Sequence, residues 1–392
     1  MNNHNLDALH TLDTPAALID RSRMQHNIAR MQQHMNALGV RFRPHVKTTK
    51  CIDVARAQRD AGAQGITVST LKEAEQFFAQ GFTDILYAVG MAPHRLQHAL
   101  ELRRRGCALG IITDGVESAR AIAAFGKANG EAFEVLIEVD TDGHRSGIRP
   151  QEGALLDVAR VLHEGGMHLR GVMTHAGSSY ELDTPEALRA MAEQERSGCV
   201  LAAQRLRDAG LPCEVVSVGS TPTALMAEAL DGVTEVRAGV YVFFDLVMRN
   251  VGVCTESDIA LSVLTTVIGH QAEKGWAIVD AGWMAMSRDR GTQKQKRDFG
   301  YGQVCTVDGT VLDGYVLSGA NQEHGIVSRE GKDEGKDKGE GEDCTGIAAR
   351  FPIGTRLRIL PNHACATGAQ FPEYHAVSEA GDVQTWARFH GW

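Results

Sequence analysis

Short runs of β-branched and aliphatic residues alternate with amphipathic stretches between about residues 40 and 240. This strand–helix alternation, without hairpin turns, predicts parallel strands joined by crossover helices. Eight such runs favour a closed (β/α)8 TIM barrel over an open doubly wound sheet. The predicted strands are 40–44, 65–69, 84–88, 109–113, 134–140, 169–174, 214–218 and 234–237, and the clearest predicted helices are 21–38, 71–80, 117–129 and 185–209.

The pattern changes after about residue 255, where long helical stretches are missing. Strand-like runs at 259–269, 276–280, 303–307, 310–316 and 356–360 favour a mostly antiparallel β domain. We therefore predict a barrel domain at 14–254 and a C-terminal β domain at 255–392, with residues 1–13 packing on the latter. Within it, residues 331–343 (GKDEGKDKGEGED) are glycine-rich and charged, so we expect a disordered loop there.

The composition excludes several classes of protein. A net charge of −9 argues against nucleic acid as a partner, because phosphate binding needs a basic face. No apolar run approaches the ~20 residues that span a bilayer, and the polar N-terminus does not resemble a signal peptide. The eight cysteines are scattered without paired spacing, which suggests reduced thiols. We expect a cytoplasmic protein.

A lysine follows the first predicted strand, in the segment RPHVKTTK. Active sites of (β/α)8 barrels lie at the carboxyl ends of the strands, so Lys47 would stand on the functional rim. A neutral lysine amine forms Schiff bases with carbonyl cofactors. Most lysines are only solvated surface charges, so Lys47 alone does not define a site.

Other unusual polar residues follow later strands and should meet on the same rim. The glycines and hydroxyls of the last two loops favour a phosphate cradle, although a capped helix and a turn would explain either loop alone. A phosphate site facing a lone lysine indicates pyridoxal 5′-phosphate or a phosphorylated sugar. These rim residues are Asp140, His144, Arg145, His175, Gly177, Ser178, Tyr180, Ser217, Gly219, Ser220, Thr221, Gly239 and Tyr241.

The β domain contains the motif PNHAC. If this segment is extended, His363 and Cys365 project to one side and present an imidazole and a thiolate to one metal. Two protein ligands leave coordination positions open, as a catalytic metal requires. A thiolate suits zinc, and an open site with a carboxylate substrate also suits manganese. A buried histidine beside an inert thiol is an equally good explanation of the spacing.

The motifs RPHVKTTK, THAGSSY, GSTPT and PNHAC together resemble those of fold-type III pyridoxal phosphate enzymes related to alanine racemase. Within that group the chain resembles the D-threonine aldolase and D-serine dehydratase family, from about Thr11 to Trp392. The resemblance implies a barrel, a β domain and a homodimer. We find no counterpart of the second tyrosine base of alanine racemases, which argues against a racemase.

The resemblance also implies roles for individual residues. Lys47 matches the lysine that binds the cofactor covalently, and His363 with Cys365 matches the divalent-metal ligands. Arg237 lies where alanine racemase places an arginine facing the pyridine nitrogen, although a salt bridge at the core edge would serve equally. The remaining cofactor-binding residues that we expect are His45, Arg145, His175, Tyr180, Ser220, Thr221, Gly239, Val240 and Tyr241.

The reaction implied is elimination of water from a D-3-hydroxy amino acid, with D-threo-3-hydroxyaspartate as the leading substrate. Retro-aldol cleavage to glycine and an aldehyde is the alternative; D-serine dehydration and non-catalytic binding of pyridoxal phosphate are less favoured. A second carboxylate on the substrate would need a cation. The candidate substrate residues are Arg288, Arg290, Gln322 and His324.

Overall fold

A computed structural model describes residues 7–330 and 346–391. The chain divides into two compact units. The barrel unit comprises Ile28–Tyr241 and Phe389–Trp392, and the β unit comprises Met1–Asn27 and Val242–Arg388. Within the described residues, no helix is both long and apolar enough to cross a membrane.

The described residues form seventeen strands and thirteen α-helices. The strands are β1 Ala16–Asp20, β2 Arg41–Phe42, β3 Ile66–Val68, β4 Asp84–Gly90, β5 Ala108–Thr113, β6 Glu134–Val139, β7 His168–Thr174, β8 Val215–Val218, β9 Glu235–Val236, β10 Leu261–Gln271, β11 Trp276–Val279, β12 Gly302–Thr306, β13 Val311–Ala320, β14 Gly325–Arg329, β15 Arg356–Pro361, β16 Glu373–Val377 and β17 Val383–Ala387. The helices are α1 Asp7–His10, α2 Arg21–Ala37, α3 Ile52–Asp60, α4 Leu71–Ala79, α5 Leu96–Arg104, α6 Val116–Asn129, α7 Ala154–Glu164, α8 Pro185–Asp208, α9 Thr221–Met226, α10 Leu246–Val251, α11 Trp283–Met286, α12 Gly346–Arg350 and α13 Ala364–Gly368.

The barrel unit contains one parallel sheet in the order β2-β9-β8-β7-β6-β5-β4-β3. Its two edges meet, because the N–H of Gln64 donates to the Phe42 carbonyl and that of Thr67 to the Pro44 carbonyl, both at 2.8 Å. Each of the eight predicted strand segments contains an observed strand. The prediction of a (β/α)8 barrel is therefore confirmed.

A buried arginine, Arg43, forms ion pairs where the two edge strands of the parallel sheet, β2 and β3, meet. The guanidinium of Arg43 binds Glu235 at 2.8 Å and both oxygens of Asp84 at 2.9 Å, joining the ends of β2, β9 and β4. Gly65 has φ +70°, and a Cβ there would lie 2.1 Å from Nη1 of Arg43. Only glycine fits this close approach, so the turn before β3 and the ion pairs depend on each other.

The β unit contains one nine-stranded sheet in the order β11-β14-β13-β12-β15-β10-β1-β16-β17. An additional pairing between β10 and β11 closes six of these strands into a small barrel. All pairings are antiparallel except that of β1 with β16. The expectation of a mostly antiparallel β domain is confirmed.

The boundaries of the two units differ from those predicted at residues 14 and 254. Strand β1 pairs with β10 and β16 of the β unit, and residues 242–254 also belong to that unit. Four of the five residues of β1 are buried, so its apolar pattern cannot show which sheet supplies its hydrogen bonds. Leu9 packs with Leu18 and Leu264, whereas residues 331–343 lie outside the described residues.

Candidate active site

Lys47 lies in a single 3₁₀ turn, Val46–Thr48, directly after β2. Its side chain is exposed, whereas Lys50 in the same segment is buried and pairs with Glu73 at 3.0 Å. The backbone N–H of Lys47 points to Nδ1 of His45 at 3.5 Å. Of the two lysines in KTTK, Lys47 therefore has the amine that a small molecule can reach.

The loops after β2 and β9 touch each other closely. The N–H of His45 donates to the Ala238 carbonyl at 2.8 Å. A Cβ on Gly239 would lie 3.0 Å from the His45 carbonyl and 3.1 Å from Oγ1 of Thr48. Glycine at this position thus lets the backbone before Val240 lie against the turn that carries Lys47.

The loop after β8 begins at Gly219 and leads into α9. Gly219 has φ +135°, and a Cβ there would lie 2.1 Å from the Arg237 carbonyl. Ser220 caps α9, with its N–H donating to Oγ1 of Thr223 at 3.0 Å, and so the predicted helix start is present. Thr221 accepts the N–H of Tyr241 at 3.2 Å, which links this loop to the loop after β9.

A buried carboxylate, that of Glu195 in α8, accepts hydrogen bonds from the loops that follow β7 and β8. It accepts the N–H of Ala176 at 2.8 Å, the N–H of Gly219 at 3.1 Å and the hydroxyl of Thr223 at 2.7 Å. Burial raises the pKa of this carboxyl, and these hydrogen bonds oppose the rise. Its sequence context, the middle of a predicted helix, provides no signal for such a role.

Replacing Glu195 by glutamine should loosen both loops, because an amide offers a donor where three donors already converge. We expect Glu195→Gln to destabilise the apoprotein by about 2–4 kcal/mol and to weaken pyridoxal phosphate binding about tenfold. Thermal unfolding and a fluorescence titration with the cofactor measure the two effects. Glu193→Gln, an exposed position on the same helix, is the control; equal behaviour of the two variants would contradict the role.

His175 and Tyr180 both lie in the loop that follows β7, and the centroids of their rings are 6.1 Å apart. Nδ1 of His175 is 2.9 Å from the Gly219 carbonyl, so it carries the proton and donates. Burial lowers the pKa of His175 to about 3 and the pKa of His45 well below 6.5. The nearby positive charges of Lys47, Arg145 and Arg237 contribute to the lowered pKa of both rings, whereas the hydrogen bond to Gly219 opposes the shift of His175, and both imidazoles are neutral.

Arg237 is one of the charged residues on this rim, and its side chain is buried. Its Nε donates to the Ser217 hydroxyl at 2.9 Å, and its Nη2 donates to the Thr174 carbonyl. The Ser217 hydroxyl in turn donates to Glu235 at 2.8 Å. Arg237 is thus held by the ends of β7 and β8, and burial lowers its pKa.

Three of the residues predicted to bind the cofactor differ in the burial of their side chains. Tyr241 is fully buried, its phenol accepts from Gln58 at 2.8 Å, and burial raises its pKa. Val240 is also buried. The guanidinium of Arg145 is half exposed and lies 3.7 Å from Glu138. The contribution of Tyr241 to this rim is therefore its backbone, whereas Arg145 has a reachable side chain.

In the β unit, His363 and Cys365 come together, but not by the predicted geometry. Only His363 is extended, because α13 begins at Ala364 and includes Cys365. The pairing expected from an extended segment is therefore produced by a turn into a helix. Nδ1 of His363 lies 2.5 Å from Oδ2 of Asp289, a residue that the sequence analysis did not select.

The charges around His363 favour a cation. Burial lowers its pKa, but the Cys365 thiol and the carboxylates of Asp289 and Asp245 outweigh burial and raise it well above 6.5. Among residues 7–330 and 346–391, no group of three or more side chains has the arrangement of a complete metal site. An imidazole and a thiol with a carboxylate behind the ring fit an open divalent-metal site completed by water or substrate.

The four candidate substrate residues also belong to the β unit. Arg290 is paired with Asp298 at 2.8 Å, whereas Arg288 is exposed and stacks over Trp283 at 4.1 Å. Gln322 and His324 are exposed in the turn between β13 and β14. Of the two arginines, Arg288 is the more available to a ligand, because the charge of Arg290 is already matched.

The barrel rim fits pyridoxal phosphate on the chemistry of its groups. Lys47 offers a reachable amine, and the loops at Gly219 and Gly239 offer backbone and hydroxyl groups that side chains would block. The positive charge on this rim suits a phosphate. Together, the fold and these residues define a barrel enzyme of the pyridoxal phosphate-dependent class.

Comparison with known proteins agrees with this class. Residues 19–247 match the family described as alanine racemase, N-terminal domain, and residues 260–377 match a putative serine dehydratase domain. The chain therefore belongs to the alanine racemase-like, fold-type III family of pyridoxal phosphate enzymes.

Individual relatives are similar over nearly the whole chain. D-threo-3-hydroxyaspartate dehydratase of Delftia sp. (strain HT23) is 71% identical over 98% of this chain and 100% of its own. Its solved structure has a TM-score of 0.94, covering 98% of this chain and 99% of that one. D-serine dehydratase of Dictyostelium discoideum is 28% identical over 97% of both chains.

Solved variants of a D-threo-3-hydroxyaspartate dehydratase bear on the metal. A cysteine-to-alanine variant was solved in a metal-free form, and a histidine-to-alanine variant was also solved. The two substituted residues are separated by one position in that enzyme, as His363 and Cys365 are here. A metal-free form of the cysteine variant implies that the native dehydratase binds a metal.

Proposed function

We propose that this enzyme is a lyase that removes water from D-threo-3-hydroxyaspartate, giving oxaloacetate and ammonia with the aid of pyridoxal phosphate and a divalent metal. The observation that carries the proposal is the pairing of His363 with Cys365 in a chain 71% identical to a dehydratase of that substrate. Together with the reachable amine of Lys47, it supplies the two kinds of group that such an elimination needs.

The barrel residues hold the cofactor and move the first proton. Lys47 is the covalent attachment point, and Ser220, Thr221 and Gly239 belong to the loops that receive the phosphate. When bound, the cofactor supplies an electron sink for negative charge at the substrate Cα. The Nζ of Lys47 accepts the Cα proton. His175, kept neutral by burial and fixed as the Nδ1–H tautomer by the Gly219 carbonyl, gives the cofactor a flat uncharged neighbour.

The β-unit residues assist the departure of the hydroxyl. Hydroxide is a poor leaving group, and a divalent metal on His363 and Cys365 supplies Lewis acidity to its oxygen. The released enamine tautomerises to an imine, and water then converts the imine to oxaloacetate and ammonia. A thiolate ligand favours zinc, and an open site that receives a carboxylate substrate also suits manganese.

The test is product analysis with D-threo-3-hydroxyaspartate, with and without EDTA. We expect oxaloacetate and ammonia in equal amounts, lost on chelation and restored by Zn²⁺ or Mn²⁺. Glycine and glyoxylate would instead identify retro-aldol cleavage, in which the Cα–Cβ bond breaks and no Cα proton is removed. Retained cofactor with no turnover of either kind would identify a binding protein.

Arg288 is the residue that we propose binds the second carboxylate of the substrate. It is exposed and stacked on Trp283, and an arginine in a fixed plane suits bidentate binding of a carboxylate. Arg290 is the matched control, because its guanidinium already forms a salt bridge with Asp298.

Arg288→Ala should lower kcat/KM for D-threo-3-hydroxyaspartate about 10²-fold while changing kcat/KM for D-serine less than about threefold. The loss reflects an unpaired substrate carboxylate, which D-serine does not have. Steady-state kinetics on both substrates measure the difference, with Arg290→Ala beside it. Equal losses on the two substrates would remove Arg288 from specificity, and a selective loss only in Arg290→Ala would transfer the role there.

We also propose that the enzyme works as a homodimer in the cytoplasm. The resemblance to alanine racemase-like enzymes supports the dimer, and the scattered cysteines without paired spacing support a reducing compartment. Analytical ultracentrifugation of the holoenzyme and fractionation of the source cells test the two statements.

A further inference from the structure

The ring of His363 has a carboxylate partner as well as a neighbouring thiol. Oδ2 of Asp289 lies 2.5 Å from Nδ1 of His363, and Cys365 contacts the same ring. We propose that Asp289 is a positioning residue that sets the tautomer and plane of His363, so that Nε2 faces the divalent metal. This inference rests on the metal role proposed for His363 and Cys365.

The hydrogen bond determines which nitrogen is available. An ionised carboxylate only accepts, so Nδ1 carries the proton of this hydrogen bond, and Nε2 is the nitrogen left to bind a metal once its own proton is displaced. A carboxylate behind a ligating imidazole also makes the imidazole a better donor. The contact therefore orients the ring and strengthens the ligand without Asp289 touching the metal.

Asp289 is itself held in place by the fold. Its N–H donates to the Ser287 hydroxyl at 3.2 Å, and its carbonyl accepts from Nδ2 of Asn362 at 3.3 Å. Nδ2 of Asn362, the residue before His363, also donates to the Gly300 carbonyl at 2.7 Å. The segment carrying Asp289 and the segment carrying His363 are thus tied together through Asn362.

A second carboxylate, Asp245, serves a different purpose. Its Oδ2 accepts the N–H of Ala364 at 2.9 Å, and its Oδ1 accepts the N–H of Met248 at 2.9 Å. Both oxygens are used by the backbone, and Ala364 lies between the two metal ligands. Asp245 therefore anchors the chain at the start of α13, whereas the carboxylate hydrogen-bonded to the ring is that of Asp289.

The test measures metal affinity in the absence of turnover. Holoenzyme treated with EDTA is titrated with Zn²⁺ against a competing chromophoric chelator, and the visible bands of bound Co²⁺ report the ligand geometry. We expect Asp289→Ala to weaken Zn²⁺ binding about 10–100-fold and to change the Co²⁺ spectrum. Asp289→Asn, which keeps an acceptor, should lose less than Asp289→Ala.

Controls separate orientation from general damage and from failure of the metal site itself. Asp313→Asn, an exposed position in β13, should bind Zn²⁺ like the unmodified enzyme. Thermal unfolding of the metal-free forms detects variants that are only less stable. Should Asp289→Ala bind Zn²⁺ normally with an unchanged Co²⁺ spectrum, or lose binding as completely as His363→Ala, Asp289 is not a positioning residue. If His363→Ala binds normally, the proposed metal site itself is wrong.

Discussion

Replacing Lys47 by alanine should lower kcat about 10³-fold or more and abolish the visible absorption band of the covalently bound cofactor. In the proposed mechanism one Nζ has two roles, so the variant would lose both the attachment point and the amine that accepts the Cα proton. Absorption spectra and single-turnover kinetics of the reconstituted protein measure the two losses. Added pyridoxal phosphate should still bind, since the loops at Gly219 and Gly239 are intact.

Two further variants make this result specific. Lys47→Arg keeps the charge on the rim but cannot form the covalent bond, so it should lose the band as completely as alanine. Lys50→Gln breaks the buried pair with Glu73 and should reduce stability by about 1–3 kcal/mol while keeping the band. A band that persists in Lys47→Ala and disappears in Lys50→Gln would move the cofactor to Lys50.

Removing the metal ligands should have an effect of similar size on a different step. We expect His363→Ala and Cys365→Ala each to lower dehydration about 10³-fold, because Lewis-acid assistance to a poor leaving group contributes several kcal/mol. Cofactor absorption should be unchanged, since neither residue is among those proposed to bind the cofactor. Kinetics and metal analysis on the same samples link the loss of turnover to the loss of metal.

Two control variants accompany His363→Ala and Cys365→Ala: one replaces the thiol ligand by a carboxylate, and the other removes a histidine far from the motif in sequence. Cys365→Asp keeps an anionic ligand and should retain more activity with Mn²⁺ than Cys365→Ala, because oxygen donors suit manganese. His26→Ala, exposed on α2, should behave like the unmodified enzyme. Full activity of His363→Ala after removal of all metal would contradict the assignment.

The barrel could be predicted because each of its strands shows its own local signal. The apolar runs that become β2 to β9 are separated by amphipathic helices, and this alternation permits few topologies. The β unit was harder, because antiparallel strands from distant segments pair in any order. Strands β1, β14, β16 and β17 were not predicted, and the segment that forms β1 was placed in the barrel domain although it pairs with β10 and β16.

The site was predictable only where a residue's own position indicates its role. Lys47 follows a predicted strand, and His363 with Cys365 lies in a motif that resembles the family's metal-ligand pair, although the spacing alone fits a buried histidine beside an inert thiol equally well. Glu195 and Asp289 have no such signal, because their roles arise from hydrogen bonds to residues 19–28 and 74 positions away. A single sequence carries no information on those distances.

By itself, the sequence determined the fold class, the rim on which Lys47 lies and the residues PNHAC, because strand periodicity and motif spacing are local properties of a chain. Only the tertiary structure decided which lysine of KTTK is reachable, that α13 rather than an extended segment brings His363 and Cys365 together, and that Asp289 meets the ring. Burial and hydrogen-bond partners depend on segments that are far apart in the chain and become neighbours only when it folds.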